Sequence, residues 1–123
     1  MNAFLPRIAG GFIVTSLALH SQVRAHAMLD HAQPQVGADV SKPPSKVKLW
    51  YTQRLEPAFS KIQVFDARGK EVDRKDAHVD PNDRSELMVS LPLLAAGTYK
   101  VMWHVVSVDT HRTQGNFKFT VKP

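Results

Sequence analysis

The sequence predicts an all-β fold, a β-sandwich or small barrel of about seven strands. Beyond residue 25, apolar residues recur with a period of two, which is typical of strands that bury one face. Glycine and proline turn signals separate these stretches from one another. No window has the 3.6-residue period of an amphipathic helix, so the apolar residues indicate strands throughout.

The predicted strands follow one another between turns. Pro34, Gly37 and the pair Pro43–Pro44 mark an extended or turning opening segment. The polar stretch from 70 to 84, which follows a hairpin-type turn, is predicted to hold one weak strand and a loop. The other strands are predicted over residues 47–52, 61–64 and 87–91, with two further strands that begin near residues 98 and 117.

The long strand that begins near residue 98 is predicted to be central. Its apolar face includes Tyr99 and Trp103, and we expect that face to continue through Ser107 into Asp109 and His111. Tyr99 follows a glycine turn, a pattern that resembles the tyrosine corner of immunoglobulin-like sandwiches. A core tyrosine at a strand start would fit the sequence equally well.

The composition and the charge of the chain exclude several kinds of site and partner. The 123 residues include no cysteine, which excludes disulfides, thiolate metal sites and cysteine nucleophiles. The formal net charge is +5, and it becomes +3 without the first 25 residues, which hold two arginines and no acidic residue. The basic residues are scattered singly and lack interleaved aromatics, so we expect no nucleic-acid partner.

Residues 1–25 are predicted to be a secretory signal peptide. Arg7 precedes an uncharged apolar run from residue 8 to residue 19. That run is shorter than the about 20 apolar residues that span a bilayer, which disfavours a membrane anchor. We therefore expect an exported protein, residues 26–123, that is not embedded in the membrane after processing.

Two cleavage positions fit the small residues at the end of this segment. Cleavage after Ala25 would make His26 the new N-terminal residue, whereas cleavage after Ala27 would make it Met28. Local rules slightly favour the second position.

Asp109 and His111 are candidate metal ligands. In an extended strand their Cβ atoms would lie about 6.6 Å apart on one face, so both side chains could hold one small cation. The alternative is an ordinary turn aspartate beside a solvated histidine. A catalytic triad with Ser107 is not expected, because three side chains along one strand do not converge and no Gly-x-Ser-x-Gly motif is present.

His26 would add two donors if it were the N-terminal residue. Its α-amine and its ring Nδ1 can close a chelate on one ion, and an α-amine of pKa about 7.7–8.0 deprotonates far more readily than a lysine. With Asp109 and His111, the set becomes three nitrogens and one carboxylate oxygen. In a tetragonal arrangement such a set favours Cu(II), ahead of Ni(II) and Zn(II).

Three stretches of the sequence resemble the CopC family of periplasmic copper-binding proteins. They are 26–34, 97–111 and 115–121, and the run Trp-His-Val-Val-Ser-Val-Asp-Thr-His within the second is specific. The resemblance covers essentially the whole of the expected mature chain. It implies a periplasmic, Greek-key β-sandwich that binds one Cu(II) ion through the amine and imidazole of His26, Asp109 and His111.

The sequence departs from the family pattern in two places. Where many members carry a glutamate near the copper, this chain has Gln53, and whether it or Glu56 contributes near the metal stays open. Some members bind Cu(I) through a methionine-rich loop, but residues 66–84 contain no methionine, so we expect binding of Cu(II) only. The other histidines of residues 26–123 are expected to be structural or surface residues: His31, His78 and His104.

The resemblance implies a non-enzymatic copper carrier or buffer in copper homeostasis or resistance, which hands Cu(II) to an inner-membrane importer of the CopD type. A histidine-brace copper monooxygenase is the first alternative. It is disfavoured because Asp109 would fill a coordination position and the aromatic residues, Trp50 excepted, alternate into the core. The second alternative is a metal-free immunoglobulin-like interaction module, which becomes the better account if the mature chain starts at Met28.

Overall fold

The computed structural model describes residues 10–11 and 27–123, so His26 and all of the predicted signal peptide except Gly10 and Gly11 lie outside the described residues. Within them, no helix is long and apolar enough to cross a membrane. The elements are β1 (Leu29–Gln33), β2 (Asp39–Val40), β3 (Lys46–Tyr51), a 3₁₀ turn (Pro57–Phe59), β4 (Lys61–Phe65), β5 (His78–Val79), β6 (Glu86–Ser90), β7 (Gly97–Val106) and β8 (Arg112–Val121).

These strands form two four-stranded sheets, which confirms the predicted β-sandwich. One sheet has the order β1-β3-β6-β5 and the other has the order β2-β8-β7-β4. The pairs are antiparallel except for the short β2, which runs parallel to β8. The longest strand pairing joins β7 and β8. The turn that connects these two strands contains Asp109 and His111.

The core lies between the two sheets, where the alternating apolar residues of each strand meet. Leu49 and Leu87 from the first sheet and Val101 and Phe119 from the second are almost completely buried. Each such side chain stabilises the fold by about 1.5–3 kcal/mol relative to an exposed one. Trp103 completes this core, only 9% exposed, and its ring meets that of Tyr51 edge-on at a centroid distance of 5.4 Å.

The last strand begins earlier than the sequence predicted. It was expected after Gly115, but β8 starts at Arg112 and runs through that glycine. Gly115 pairs directly with Trp103 of β7, and a Cβ placed on it would lie 2.4 Å from Cζ2 of that indole. The glycine is therefore the place where the tryptophan ring lies against the backbone of the neighbouring strand, and it does not end the strand.

Tyr99 forms the tyrosine corner that its position after Gly97 suggested. Its hydroxyl donates a hydrogen bond to the carbonyl of Ala95 at 2.6 Å, which holds the connection from β6 against the start of β7. The ring stacks on Phe119 at a centroid distance of 5.5 Å. The ring of Tyr99 thus packs in the core, while its hydroxyl bonds to the backbone and fixes where β7 begins.

Replacing Tyr99 by phenylalanine is expected to lower the free energy of unfolding by about 1–2 kcal/mol, because the carbonyl of Ala95 loses its donor. The matched control is Tyr51→Phe. The Tyr51 hydroxyl is buried, which raises its pKa, and it has no hydrogen-bond partner within residues 27–123. Removing it should leave stability unchanged or raise it. Urea denaturation of both variants measures the difference, and equal losses would contradict the assignment of the corner.

Candidate metal centre

β7 and β8 are joined by a tight turn over residues 107–111, so the expectation of one continuous strand through His111 is wrong. The ladder ends at the pair Val106–Arg112. The amide of Thr110 donates to the carbonyl of Ser107 at 2.8 Å, and Thr110 has a left-handed backbone with φ of 74°. This reversal excludes the predicted side-by-side placement of Asp109 and His111 along one strand face.

The turn nevertheless brings Asp109 and His111 together. Nδ1 of His111 lies 3.1 Å from Oδ2 of Asp109, and both side chains are about two-fifths exposed. Nδ1 itself is sheltered from solvent. A carboxylate oxygen and an imidazole nitrogen therefore lie next to each other at a partly exposed end of the sandwich. One small cation could bind to both groups.

Ser107 orients the Asp109 carboxylate, a role that the sequence reasoning missed. Its side chain is completely buried, and its hydroxyl donates a hydrogen bond to Oδ1 of Asp109. That bond, followed by hydrogen bonds and charge from His111, lowers the pKa of the Asp109 carboxyl below its ordinary value. The group is therefore an anion at neutral pH. The available signal was a serine on an otherwise apolar strand face two residues before the aspartate.

The segment after β3 supports the turn from one side. Leu55 forms a bridge with Ser107, and the amide of Val108 donates to the carbonyl of Arg54 at 3.0 Å. The amide of Glu56 donates to the carbonyl of Val106 at 2.7 Å. These backbone bonds place the segment that carries Gln53 and Glu56 at the metal-centre end of the sandwich.

The start of the described chain supports the turn from the other side. Ala27 is fully buried, and its carbonyl accepts a hydrogen bond from Oγ1 of Thr113 at 2.9 Å. The amide of Met28 donates to Oγ1 of Thr52 at 3.0 Å, and the amide of Thr52 donates to the carbonyl of Met28 at 2.9 Å. Ala27 is thus held beside β8 by Thr113, which follows His111 by only two positions in the sequence.

The three other histidines among residues 27–123 lie elsewhere on the surface. His31 is exposed and stacks on Trp50 at 4.4 Å, with its Nδ1 2.7 Å from a carboxylate oxygen of Asp30. His78 is exposed with its Nδ1 2.8 Å from the Asp76 carbonyl, and His104 is exposed on the outer side of β7. In the part of the chain that the structure describes, no three His, Asp or Glu residues cluster as a metal site. To hold a metal ion, Asp109 and His111 would therefore need further donor atoms from elsewhere.

Comparisons with known proteins agree on one family. The model of the CopC domain family matches residues 29–122. Protein YobA of Escherichia coli K12 is 37% identical over 117 residues, covering 94% of each chain. Copper resistance protein C of Pseudomonas syringae pv. tomato is 33% identical over 127 residues, covering 98% of this chain and 96% of that protein.

A solved structure and a longer relative extend this comparison. The crystal structure of CopC from Methylosinus trichosporium OB3b superimposes with a TM-score of 0.75 at 37% identity, covering 80% of this chain and 95% of that one. Copper transport protein CutJ of Bacillus subtilis is 24% identical over 98 residues, which are 79% of this chain but 18% of that protein. The similar segment is therefore one part of a much longer chain in CutJ.

Proposed function

This chain belongs to the CopC family, and we propose from that premise that it is a periplasmic carrier or buffer of Cu(II) in copper homeostasis or resistance. The observation that carries the proposal is the contact between Asp109 and His111 at 3.1 Å, in a turn beside which Ala27 is anchored. The family supports copper as the ligand. The oxidation state and the ligand set are inferred from the donors.

We propose that His26 completes the site through its α-amine and its imidazole, beside Asp109 and His111. In the sequence His26 directly precedes Ala27, whose carbonyl accepts the hydrogen bond from Thr113. Three nitrogens and one carboxylate oxygen suit Cu(II) better than Cu(I), which prefers thiolate and thioether ligands. One chain would then bind one Cu(II) ion.

The residues around the pair have distinct roles in this proposal. The ionised Asp109 supplies negative charge, and Ser107 holds one of its oxygens so that the other faces His111. Metal ligands held by such hydrogen bonds lose less freedom when the ion binds. With partly exposed ligands at one end of the sandwich, the ion could be taken up and released without unfolding of the core.

The named relatives support a carrier and give no support to catalysis. Those compared above with copper in their names are a copper resistance protein and a copper transport protein. CutJ is of special interest, because in it a segment similar to this chain is joined to a much longer copper transport protein. We infer that this chain does the task of the corresponding segment and hands Cu(II) to an inner-membrane transporter of the CopD type.

The test is a Cu(II) competition titration, followed by EPR, on protein purified from the periplasm. His111→Ala is expected to weaken binding more than about 100-fold, because even residues that only support metal ligands cost 10–100-fold when removed. His78→Ala is the matched control, since that histidine is exposed on β5 and should leave the affinity unchanged. Equal affinities of the wild type and His111→Ala would refute the site.

A further inference from the structure

The outer surface of the second sheet is basic over β4, β7 and β8. Side chains that alternate outward on β4, β7 and β8 include five basic residues and no aspartate or glutamate. Asp39 of β2 and Glu71, which bridges to β4, lie at the two lateral edges of this surface. We call this surface the basic sheet face; its basic residues are Lys61, Lys100, His104, Arg112 and Lys118. Without the histidine it carries four positive charges, whereas residues 26–123 as a whole carry a net charge of +3. The remaining residues therefore carry a net charge of −1.

Strand register gathers these cations, which are scattered singly in the sequence. Lys100 of β7 lies directly opposite Lys118 of β8, and Lys61 of β4 lies directly opposite His104 of β7. Like charges directly opposite one another in a sheet destabilise it. No ion pair between the described residues relieves them, because the ion pairs found there join other residues. Asp66 lines the same cavity as Lys100 and Lys118 but forms no ion pair with either, so the positive charge at this end is only partly neutralised.

An exposed aromatic residue lies at the end of this face nearest the metal centre. Phe59 is 63% exposed and lines a shallow cavity of about 350 Å³ together with Lys61, His104 and Arg112. An apolar ring beside several cations suits the boundary between lipid headgroups and acyl chains, where phenylalanine can insert while lysine and arginine face the headgroups. Lysine and arginine near an anionic membrane surface are each attracted to it, and several together give reversible binding.

We propose that the basic sheet face docks this protein on anionic lipid headgroups of a membrane. From Lys118 to Arg112 the cations extend over six residues of β8, roughly 20 Å, and this extended array matches a continuous anionic surface. An acidic protein partner would engage a more localised patch. The attraction is electrostatic and is screened beyond about 8 Å at physiological salt, so binding is weak and reversible.

Docking through this face would also place the metal centre at the membrane surface. Arg112, which belongs to the face, directly follows His111, and β7 leads straight into the turn 107–111. Copper bound there would lie close to any transporter in the same membrane. This consequence rests on the proposed copper function, whereas lipid binding itself does not.

Flotation of the periplasm-purified protein with phosphatidylcholine vesicles, with and without phosphatidylglycerol, tests the proposal. Binding is expected only to vesicles that contain phosphatidylglycerol, and it should disappear at high salt. Equal binding to both kinds of vesicle would overturn the proposal. Tighter binding to soluble polyglutamate than to anionic vesicles would also overturn it, in favour of an acidic protein partner.

The variant Lys100→Glu tests whether weaker vesicle binding is caused by the change of charge and not by unfolding. It should weaken vesicle binding by about tenfold or more. It should also raise the melting temperature by a few degrees, since the introduced carboxylate would lie opposite Lys118. Lys46→Glu makes the same charge change at an exposed position of β3 in the other sheet and should affect vesicle binding far less.

Equal weakening by Lys100→Glu and Lys46→Glu would show that net charge alone is sensed, and it would overturn the assignment to this face. Cu(II) affinity measured on Lys100→Glu should match that of the wild type, because Lys100 lies toward the far end of β7 from the metal centre. Vesicle binding with no Cu(II) binding would leave the docking face standing and refute only the copper function.

Discussion

A chain that begins at Met28 is expected to bind Cu(II) at least about 100-fold more weakly than a chain that begins at His26. The shorter chain lacks both proposed donors of His26 but keeps Asp109 and His111. Loss of ligands must exceed the 10–100-fold cost of losing residues that merely support them. Both chains can be produced by exact cleavage of a fusion protein and compared by competition titration.

Acetylation of the His26 α-amine separates the two donors. The amine has a pKa about two units or more below that of lysine, so mildly acidic conditions favour its selective modification, which mass spectrometry can verify. The acetylated chain keeps the imidazole and loses the amine, so its affinity should fall between those of the two unmodified chains. Indistinguishable affinities of the chains that start at His26 and at Met28 would refute the N-terminal chelate. The mass of the exported protein shows which of them the cell makes.

Gly115→Ala is expected to lower the free energy of unfolding by about 3 kcal/mol, the upper end of the usual cost of overpacking a core. The added Cβ would lie 2.4 Å and 2.8 Å from two atoms of the Trp103 ring. That ring is 9% exposed and lies against Tyr51, so it cannot move aside without opening the core. Urea denaturation followed by tryptophan fluorescence gives the change in stability.

Gln114→Ala is the matched control for this substitution. Gln114 precedes the glycine on β8, is exposed and points away from the core, so its loss should cost less than about 0.5 kcal/mol. Combining Gly115→Ala with Trp103→Phe should recover part of the lost stability, because the smaller ring makes room for the methyl group. A stability loss no larger than that of the control would contradict the close packing of Trp103 on Gly115.

The sequence was sufficient for the sandwich but not for its turns. Alternating apolar residues predict strands because side chains of a strand point to opposite faces, and this holds for β3, β4, β6 and β7. The turn at 107–111 was missed because it contains neither glycine nor proline. Conversely, the last strand was expected only after Gly115, although this glycine packs under Trp103 inside β8.

The candidate site was predictable in its residues but not in its geometry. Asp109 and His111 drew attention through their residue types and spacing, yet they meet across a turn and not along a strand. The buried hydroxyl of Ser107 has a role only once that turn is known. The basic sheet face was invisible for a different reason, since the pairing of Lys100 with Lys118 depends on strand register, which a single sequence does not specify.

The hydrogen bond from Thr113 to the carbonyl of Ala27 joins residues that are 86 positions apart. Bringing the ends of so long a flexible segment together costs about 4 kcal/mol in loop-closure entropy. The contacts that form when the sandwich folds offset this loss of entropy before any ion binds. An ion that bridges the start of the chain to the turn at 107–111 would therefore not have to close the loop itself. Its apparent affinity would then fall with the fraction of folded protein, so metal binding should be lost over the same range of denaturant in which the domain unfolds.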